Sequence, residues 1–388
     1  MSAISLSTMH APLSNAYRAD WCSLADLAPL AEEIRALAAR AAEPNVFYEP
    51  SFMLAAAPVF GPDAGAVLVR SATGRLTGLF PARIERPQGG LVPMLCGFTH
   101  PFAPLGVPLI DRDDAEAVVK AWLDRLAGDR AMPALLLLPF IPEQGAFARA
   151  FDAVLSQTGR AGAAFGQHTR ALLDPGSAPD GYLERAVSAG RRKEMRRQRR
   201  RLEEFGPVTF DTVTKPDGIA AALQDFLVLE ASGWKGVAGT AIVDEPAVKA
   251  FVQAAVSSLA AEGHAHIDRM LLGGKPIAAT ITLQSGDTAW CWKIAYNEGM
   301  ARFSPGVQLI CDLTEKLAAD PHVDRTDSCA TADHPMINHV WRERLSLSDR
   351  LIALKPSAVP FALACGLESL RRYGIATAKD LRDRIRRR

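Results

Sequence analysis

Three consecutive runs in the second half of the chain alternate between apolar residues and polar or small ones. They cover residues 264–272, 276–284 and 288–296, and Gly-Gly and Gly-Asp pairs separate them. Apolar, β-branched runs on either side of such pairs are typical of β-hairpins. The pattern therefore predicts an antiparallel meander of three strands.

A helix with a polar start follows the third run. Apolar residues recur at helical spacing from residue 309 to 317, Ser304 precedes them as an N-cap, and Pro305 fits the first turn. Gly306 has no side chain, so a ligand can approach the backbone there. The free N–H groups and the positive end of the helix dipole predict a phosphate-binding turn. The residues assigned to this turn are Arg302, Ser304, Gly306, Val307 and Gln308.

The remainder of the chain also alternates between predicted strands and helices. Residues 1–20 have the pattern of a flexible lead-in, and residues 174–180 that of a linker. Before the linker we expect helices at residues 24–42, 114–126 and 144–158, and strands at 66–70, 76–85, 91–96, 134–140 and 163–172. After it we expect a long helix at 181–205, a strand at 208–213, helices at 219–232 and 246–262, and a strand at 323–329. Both halves thus follow a similar order of elements.

The composition is that of a globular protein with little net charge. The 388 residues are 48% hydrophobic and 22% charged, with a formal net charge of +1, which permits two domains. No run of about 20 apolar residues occurs, so no membrane-spanning helix is predicted. The six cysteines form no CxxC pair, and no leader pattern opens the chain, so we expect a reduced, cytoplasmic protein. His264 and His266 share a strand face but lack a third ligand, so no metal is predicted.

Five short motifs occur in an order that resembles a known superfamily. They are a basic helix at residues 191–202, Leu229-Glu230 with Trp234-Lys235-Gly236, the strand from Trp290 to Tyr296, Ser304-Pro305-Gly306, and Asp327 followed by Trp341-Arg342. Together with the meander they resemble the GNAT superfamily of acyl-CoA-dependent N-acyltransferases, and within it the CelD/BioF-like branch related to FemABX-type aminoacyl transferases. The resemblance covers residues 170 to 356. The usual pyrophosphate loop of the superfamily has glycines two apart, whereas this chain has one glycine and a proline.

The resemblance implies an α/β fold of two tandem GNAT-like domains, each a mixed β-sheet flanked by helices. The first, at residues 21–173, is the degenerate copy. The second, at residues 181–356, is the acyltransferase, and residues 357–388 form an amphipathic basic tail. The resemblance also implies acyl-CoA as co-substrate and a primary amine as acceptor. Members of this branch act in exopolysaccharide, cell-wall and sphingolipid pathways.

Acylation of an amine by a thioester requires groups that move protons and polarise the thioester oxygen. Asp327 and His334 follow the last strand of the acyltransferase segment, where ligands of α/β sheets gather. We predict these two as acid–base groups. Lys293 and Glu230 are further catalytic candidates. The residues predicted to contact the acceptor are Trp234, Lys235, Tyr296 and Asn338.

Each catalytic candidate also has a purely structural interpretation. Asp327 can be a turn residue, and Glu230 can simply end a helix. Lys293 can form an ion pair with either of these carboxylates. Strand alternation puts Lys293 on the face of the smaller residues, opposite Trp292.

Two segments of the chain are strongly basic. Residues 191–201 carry eight basic residues in eleven, which fits a solvated helix or a surface for an anionic partner. No aromatic residue interleaves them, so nucleic acid is not the partner we predict. The tail from residue 371 has eight basic and two acidic residues, next to an amphipathic stretch at 361–373. This predicts peripheral docking on the anionic surface of the inner membrane.

These features favour an N-acyltransferase that acts on a long-chain lipid amine, as in bacterial ceramide-synthase-like enzymes. Three alternatives stay open. One is FemABX-like transfer from aminoacyl-tRNA, with the basic helix on the RNA. Another is acetylation of an exopolysaccharide amino sugar. The third is a non-catalytic scaffold that binds a membrane or a partner protein.

Overall fold

The fold is built on one mixed β-sheet to which both halves of the chain contribute. The computed structural model describes residues 17–87, 92–176, 180–355 and 358–386. The strands of the first half are β1 (Tyr17–Ser23), β2 (Gly65–Ser71), β3 (Leu76–Glu85), β4 (Met94–Gly97), β5 (Leu109–Ile110), β6 (Leu135–Pro142) and β7 (Gly162–Leu173). Those of the second half are β8 (Val208–Val213), β9 (Ala265–Leu272), β10 (Lys275–Ser285), β11 (Thr288–Tyr296), β12 (Arg325–Asp327) and β13 (Glu343–Ala353). Within the described ranges these form one 13-stranded sheet, ordered β1-β2-β3-β4-β6-β13-β7-β12-β11-β10-β9-β8, with β5 beside β3.

Helices cover both faces of the sheet. They are α1 (Ala31–Ala38), α2 (Pro50–Phe60), α3 (Ala115–Gly128), α4 (Ala146–Thr158), α5 (Tyr182–Ala186), α6 (Ala189–Glu203), α7 (Pro216–Ser232), α8 (Trp234–Val237), α9 (Pro246–Ala261), α10 (Pro305–Ala318) and α11 (Ala358–Arg386). One face carries a large core to which α1–α4, α7 and α9 contribute. The other face carries smaller cores beneath α5 and α10, beneath α6, and beneath α11.

The leucine run of β6 shows why a strand in the middle of the sheet is apolar at consecutive positions. Leu136 and Leu138 face the large core, whereas Leu135 and Leu137 face the core beneath α11. A strand covered on both faces needs apolar residues at every position. Its burial on both sides therefore explains a run that alternation alone does not.

Strand β13 comes from the second half of the chain, just before α11, and lies inside the sheet of the first half. It pairs antiparallel with β6 on one side and with β7 on the other. β7 in turn pairs with β12, through Thr326↔Leu173 and Asp327↔Leu172. The predicted α/β fold with a mixed sheet flanked by helices is confirmed, and the two predicted sheets are joined edge to edge into one.

Several local predictions are corrected by the structure. Residues 17–20, predicted as part of a flexible lead-in, belong to β1, which pairs with β2; residues 1–16 lie outside the described ranges. The predicted long helix at 181–205 is two helices, α5 and α6. Ser188 takes an extended conformation between them, and its hydroxyl caps α6 by accepting from the Arg191 N–H. The predicted helix at 24–42 begins as a 3-10 helix, Leu24–Leu30, which contains Pro29.

Among the described helices, none by itself combines the length and the apolar composition that crossing a membrane requires. The bent pair Pro216–Ser232 and Trp234–Asp244 meets that requirement by length and composition only.

Candidate active site

A gap opens in the sheet where β11 and β12 diverge. The two strands are parallel and pair over three residues, from Thr288↔Arg325 to Trp290↔Asp327. β12 ends at Asp327, whereas β11 continues to Tyr296. Over the described residues, no strand covers this edge of β11 beyond Trp290. Ligands of α/β sheets bind at the carboxyl ends of strands, so this gap is the candidate active site.

The first turn of α10 packs against the free end of β11. A Cβ atom on Gly306 would lie 3.0 Å from Cδ1 of Tyr296, so a larger residue here would press on the Tyr296 ring. The Gln308 N–H donates to the Ser304 carbonyl at 3.1 Å. The N–H groups of Gly306 and Val307 therefore have no acceptor within the helix. Two such groups at the positive end of the helix dipole suit an anion.

Ser304 and Arg302 differ from what the sequence predicts. Ser304 has a φ of +52° and its hydroxyl caps no helix N–H, so the predicted N-cap hydrogen bond is wrong. The preceding 3-10 turn, Glu298–Phe303, imposes this conformation, since the Ser304 N–H donates to the Ala301 carbonyl at 2.9 Å. The Arg302 guanidinium stacks 4.7 Å from the centre of the Phe303 ring. Its contact with an anion stays a prediction.

Lys293 lies on the aromatic side of β11, not on the side that simple alternation predicts. Trp292 is the extra residue of a β-bulge opposite Ile281 and Thr282, and a bulge interrupts the alternation. The Trp292 indole N–H donates to the Phe102 carbonyl at 2.7 Å. The Lys293 ammonium lies 4.1 Å from the centre of the Phe102 ring. Lys293 therefore meets a loop of the first half of the chain.

The carboxylates predicted as partners of Lys293 are paired elsewhere. Glu230 binds Lys235, and Asp327 binds Arg170, so within the described residues neither forms an ion pair with Lys293. Burial, together with the nearby positive charge of Lys235, lowers the pKa of Lys293 to about 8, against the opposite effect of Glu230. Lys293 thus titrates near pH 8, well below an ordinary lysine.

Glu230 and Lys235 form one fixed unit at the end of α7. The buried Glu230 accepts from Lys235 Nζ at 2.6 Å with one carboxylate oxygen, and from the Ile242 N–H at 2.9 Å with the other. The next turn is tied down by the Trp234 N–H, which donates to Glu298 at 2.9 Å. The Trp234 ring itself is 63% exposed. This segment holds a cation near the gap and an aromatic ring at the surface.

Asp327 and His334 are engaged in separate local contacts. The buried Asp327 accepts from the guanidinium of Arg170. His334 Nδ1 accepts long hydrogen bonds of 3.4 Å from the N–H groups of Met336 and Ile337. Burial lowers the pKa of His334 below its usual range, so it is neutral at pH 7. No hydrogen bond joins the two side chains in the described structure.

The loop after β12 is ordered by its own polar groups. Cys329 has a φ of +51°, and its N–H donates to Asp327 Oδ1 at 2.9 Å. Burial raises the pKa of the Cys329 thiol well above its ordinary value. Asn338 donates to the Ala332 carbonyl at 2.7 Å, while its buried Oδ1 meets no donor among the described groups. Asn338 thus has one acceptor left for a ligand.

Part of the chain is similar to a family of known proteins. Residues 189–334 match the family described as "Acetyltransferase (GNAT) domain". That segment, called the GNAT domain below, is similar to this family. This similarity supports an N-acyltransferase, and domains of this family use acyl-CoA as co-substrate. No curated protein matches the chain in sequence.

Solved structures share the fold at low sequence identity. A conserved protein of unknown function from Bacteroides thetaiotaomicron VPI-5482 has 13% identity and a TM-score of 0.55, over 86% of this chain and 98% of that one. FemX has 10% identity and a TM-score of 0.54, over 83% of this chain and 95% of that one. At these identities the likeness concerns the fold alone. It extends through the first half, which the GNAT family match does not cover.

The GNAT domain receives residues from the first half that sequence patterns did not reveal. Arg170 comes from β7, and Phe102 comes from the Pro- and Gly-rich loop at residues 97–108. His100, in the same loop, stacks 4.2 Å from Phe60. Burial lowers its pKa to about 3, with help from Arg83 and Lys293. The cluster of aromatic residues and histidine in this loop is the sequence feature that could have indicated its contact with the site.

One polar cluster among the described residues has metal-like geometry. Ligand atoms of Glu49, Glu262 and His264 lie within 4.8 Å of one another. Glu262 already accepts from Arg35 Nε at 2.9 Å and from Ser51 Oγ at 2.6 Å. Its charge is thus partly compensated by an arginine. The cluster joins α2 of the first half to the end of α9.

Proposed function

We propose that this enzyme transfers an acyl group from acyl-CoA to a primary amine in the gap between β11 and β12. The observation that carries the proposal is the end of the parallel pairing at Trp290↔Asp327, beyond which the β12-side edge of β11 is unpaired up to Tyr296 while β10 still pairs with the other edge. The start of α10 packs on that same free end. A gap of this kind admits a thioester between the strands, and the helix start is placed to hold phosphate.

The coenzyme would be held by the first turn of α10. The N–H groups of Gly306 and Val307 face no intrahelical acceptor, and they match the oxygens of a pyrophosphate. Ser304 and Arg302 flank this turn. Bound acyl-CoA supplies the thioester carbon that the amine attacks. These backbone donors fix the distance between that carbon and the groups at the end of β11.

Lys293 is the group we propose to accept the proton of the attacking amine. Its pKa of about 8 leaves part of it neutral at physiological pH, as a general base requires. As the amine nitrogen bonds to the carbonyl carbon, its proton passes to Lys293, the C–S bond breaks, and the thiolate takes up a proton. Glu230 and Asp327 then serve as positioning residues, because Lys235 and Arg170 occupy their oxygens. His334 is an alternative proton carrier.

The acceptor we propose is a long-chain lipid amine presented at a membrane surface. Two exposed apolar features support this. Trp234 and Val237 stand 63% and 91% exposed beside the Glu230–Lys235 unit. On α11, Leu363 and Leu370 are 52% and 68% exposed and lie two helical turns apart. Such surfaces suit an apolar partner. The predicted substrate contacts of Tyr296 and Asn338 belong to the same proposal.

A second candidate function is transfer of an aminoacyl group, as in FemABX-type enzymes. It is favoured by the exposed cations Lys193, Arg196 and Arg200 of α6, which have no hydrogen-bond or ion-pair partner among the described contacts, and by the fold shared with FemX. An RNA-borne donor would need such charges. The amino-sugar alternative has no comparable structural feature.

Calorimetry with acetyl-CoA and a long-chain acyl-CoA distinguishes these functions. The proposal expects a saturable one-to-one complex, with affinity that persists at moderate salt because the contacts are local. The aminoacyl function expects no coenzyme complex, and a salt-sensitive complex with aminoacyl-tRNA instead. An absence of coenzyme binding by the folded protein would contradict the proposal.

A further inference from the structure

A groove on the outer face of the GNAT domain lies between α6 and α10. Its volume is about 530 Å³. The α6 wall carries Lys193, Arg196 and Arg200 together with Glu203, and the α10 wall carries Gln308, Asp312 and Glu315. This size suits part of a small ligand rather than a macromolecule. The two walls have opposite chemical character, and the groove begins one turn from the free N–H groups of α10.

The α6 wall offers positive charge that the protein does not neutralise. Lys193, Arg196 and Arg200 are spaced i, i+3 and i+7, so they share one helix face. All three are exposed, and no hydrogen bond or ion pair holds them among the described contacts. Arg197, which points away from the groove, is instead paired with Glu194 at 2.6 Å. Lys193, Arg196 and Arg200 are thus groove cations without a partner among the described contacts, whereas Arg192 and Arg199, which also line the groove, are engaged by backbone carbonyls and carboxylates.

The α10 wall offers buried oxygen atoms that lack donors. Gln308 is only 4% exposed; its Nε2 donates to the Phe303 carbonyl at 2.8 Å, while its Oε1 has no partner among the described groups. Asp312 Oδ2 is also buried without a hydrogen bond, 3.6 Å from Arg199. Buried acceptors are normally satisfied. Burial also raises the pKa of Asp312 to about 7, an effect that a bound N–H donor would oppose.

We propose that this groove is a subsite for a phosphate ester that also carries N–H donors. The phosphate lies on Lys193, Arg196 and Arg200, and the N–H groups face Gln308 and Asp312. The proposal rests on the proposed function, because Gln308 also belongs to the turn assigned to the coenzyme. Two sources have this chemistry: the coenzyme, whose 3′-phosphate and amides would lie here, and an acceptor amine that is itself phosphorylated.

The test compares a groove variant with a matched control on the same helix. Arg196→Gln/Arg200→Gln removes two groove charges, and Arg197→Gln/Arg201→Gln removes two charges outside the groove. Affinities for coenzyme A, dephospho-coenzyme A, phosphoethanolamine and inorganic pyrophosphate are measured by calorimetry at one ionic strength. We expect the groove variant to lose at least about tenfold in affinity for a phosphate ester, and the control less than about twofold.

The pattern of losses identifies the source. Weaker binding of coenzyme A alone assigns the groove to its 3′-phosphate, and weaker binding of phosphoethanolamine alone assigns it to the acceptor. An equal loss of affinity for coenzyme A and dephospho-coenzyme A also supports the groove. In that case the groove binds the pyrophosphate, which both coenzymes carry. Unchanged affinity for every probe overturns the proposal, as does an equal loss in the control variant. Wild-type protein that binds no coenzyme contradicts the proposed function. If its affinity for phosphoethanolamine or pyrophosphate is nevertheless lowered only in the groove variant, the groove is still a phosphate-binding subsite.

Discussion

Arg170 of β7 and Asp327 of β12 form an ion pair in which both side chains are almost fully buried. Arg170 also donates to the Pro104 carbonyl at 2.9 Å, and Asp327 accepts from the Cys329 N–H at 2.9 Å. The pair lies where the sheet of the first half meets that of the GNAT domain. It therefore fixes the last residue of β12 at the point where the gap to β11 opens.

Breaking this pair should destabilise the protein strongly. Arg170→Met leaves the buried Asp327 charge without its cation, which costs about 3–5 kcal/mol. Urea unfolding measures the loss, and Arg170→Met/Asp327→Leu should recover most of it. Arg350→Met is the matched control, because its partner Asp152 is 52% exposed and such pairs contribute about 0–1 kcal/mol. Equal, small losses in both single variants would show that the ion pair does not hold the halves together.

Lys293 should set the pH dependence of turnover. A lysine accepts a proton only when it is neutral, so kcat should rise with pH through a midpoint near the Lys293 pKa of about 8 and then level off. Lys293→Met should lower kcat by about 10²–10⁴-fold while coenzyme binding is retained. A wild-type profile without a midpoint in this range would contradict the assignment and favour His334.

Lys235 provides a second test of the same group. Its positive charge lowers the pKa of Lys293, and it also neutralises Glu230, whose charge acts in the opposite direction. Lys235→Gln removes both effects, so the midpoint of the kcat profile should move to higher pH. Lys249→Gln, on α9, is the control and should leave the midpoint unchanged. An unchanged midpoint in Lys235→Gln would show that the group that titrates in the kcat profile is not Lys293.

The first turn of α10 should discriminate against negative charge. Val307→Glu places a carboxylate beside the free N–H groups, which favours the helix through its dipole but repels a pyrophosphate. Affinity for coenzyme A should fall by at least about tenfold, whereas the neutral Val307→Gln should change it little. Gly306→Val is a poorer test, since its side chain would press on Tyr296. Equal affinities of the Val307→Glu and Val307→Gln variants for coenzyme A would show that the coenzyme binds elsewhere.

Docking on anionic membranes should depend on the exposed side of α11. Full-length protein should co-sediment with anionic vesicles at about 0.1 M salt and be released near 1 M, where the Debye length is about 3 Å. Leu370→Glu should weaken this more than Ser369→Glu, which adds the same charge at a polar position. Deletion of the tail is less clean, because Ala364 is buried against β13. Vesicle binding that depends neither on salt concentration nor on the Leu370→Glu substitution would contradict the lipid proposal.

The local elements of the GNAT domain were predictable, and its long-range contacts were not. β8, β11 and the start of α10 follow directly from alternation and helix punctuation. The β-bulge at Trp292 was not visible, because it depends on the register with β10. The pairing of Arg170 with Asp327 joins residues 157 positions apart. No local pattern indicates which of many charged residues meet across a sheet.

The same limit applies to the candidate site. Glu230, Lys235 and Lys293 were identified as candidates from their motifs, but the sequence did not show that Glu230 is already bound to Lys235. The insertion of β13 beside β7 was also missed, since a strand that returns to an earlier sheet carries no signal of its destination. The contact of Phe102 with Lys293 also joins the two halves of the chain, and no local pattern indicates it.

The most direct test of the central claim is amine-dependent release of free coenzyme A thiol from acyl-CoA, with the N-acyl product identified by mass spectrometry. The account predicts release with a primary amine in wild type, fastest for a long-chain lipid amine, and loss of release in Val307→Glu and Lys293→Met. Folded wild-type protein that binds neither acetyl-CoA nor long-chain acyl-CoA, and releases no thiol with sphingoid amines, amino sugars or amino acids, would contradict it.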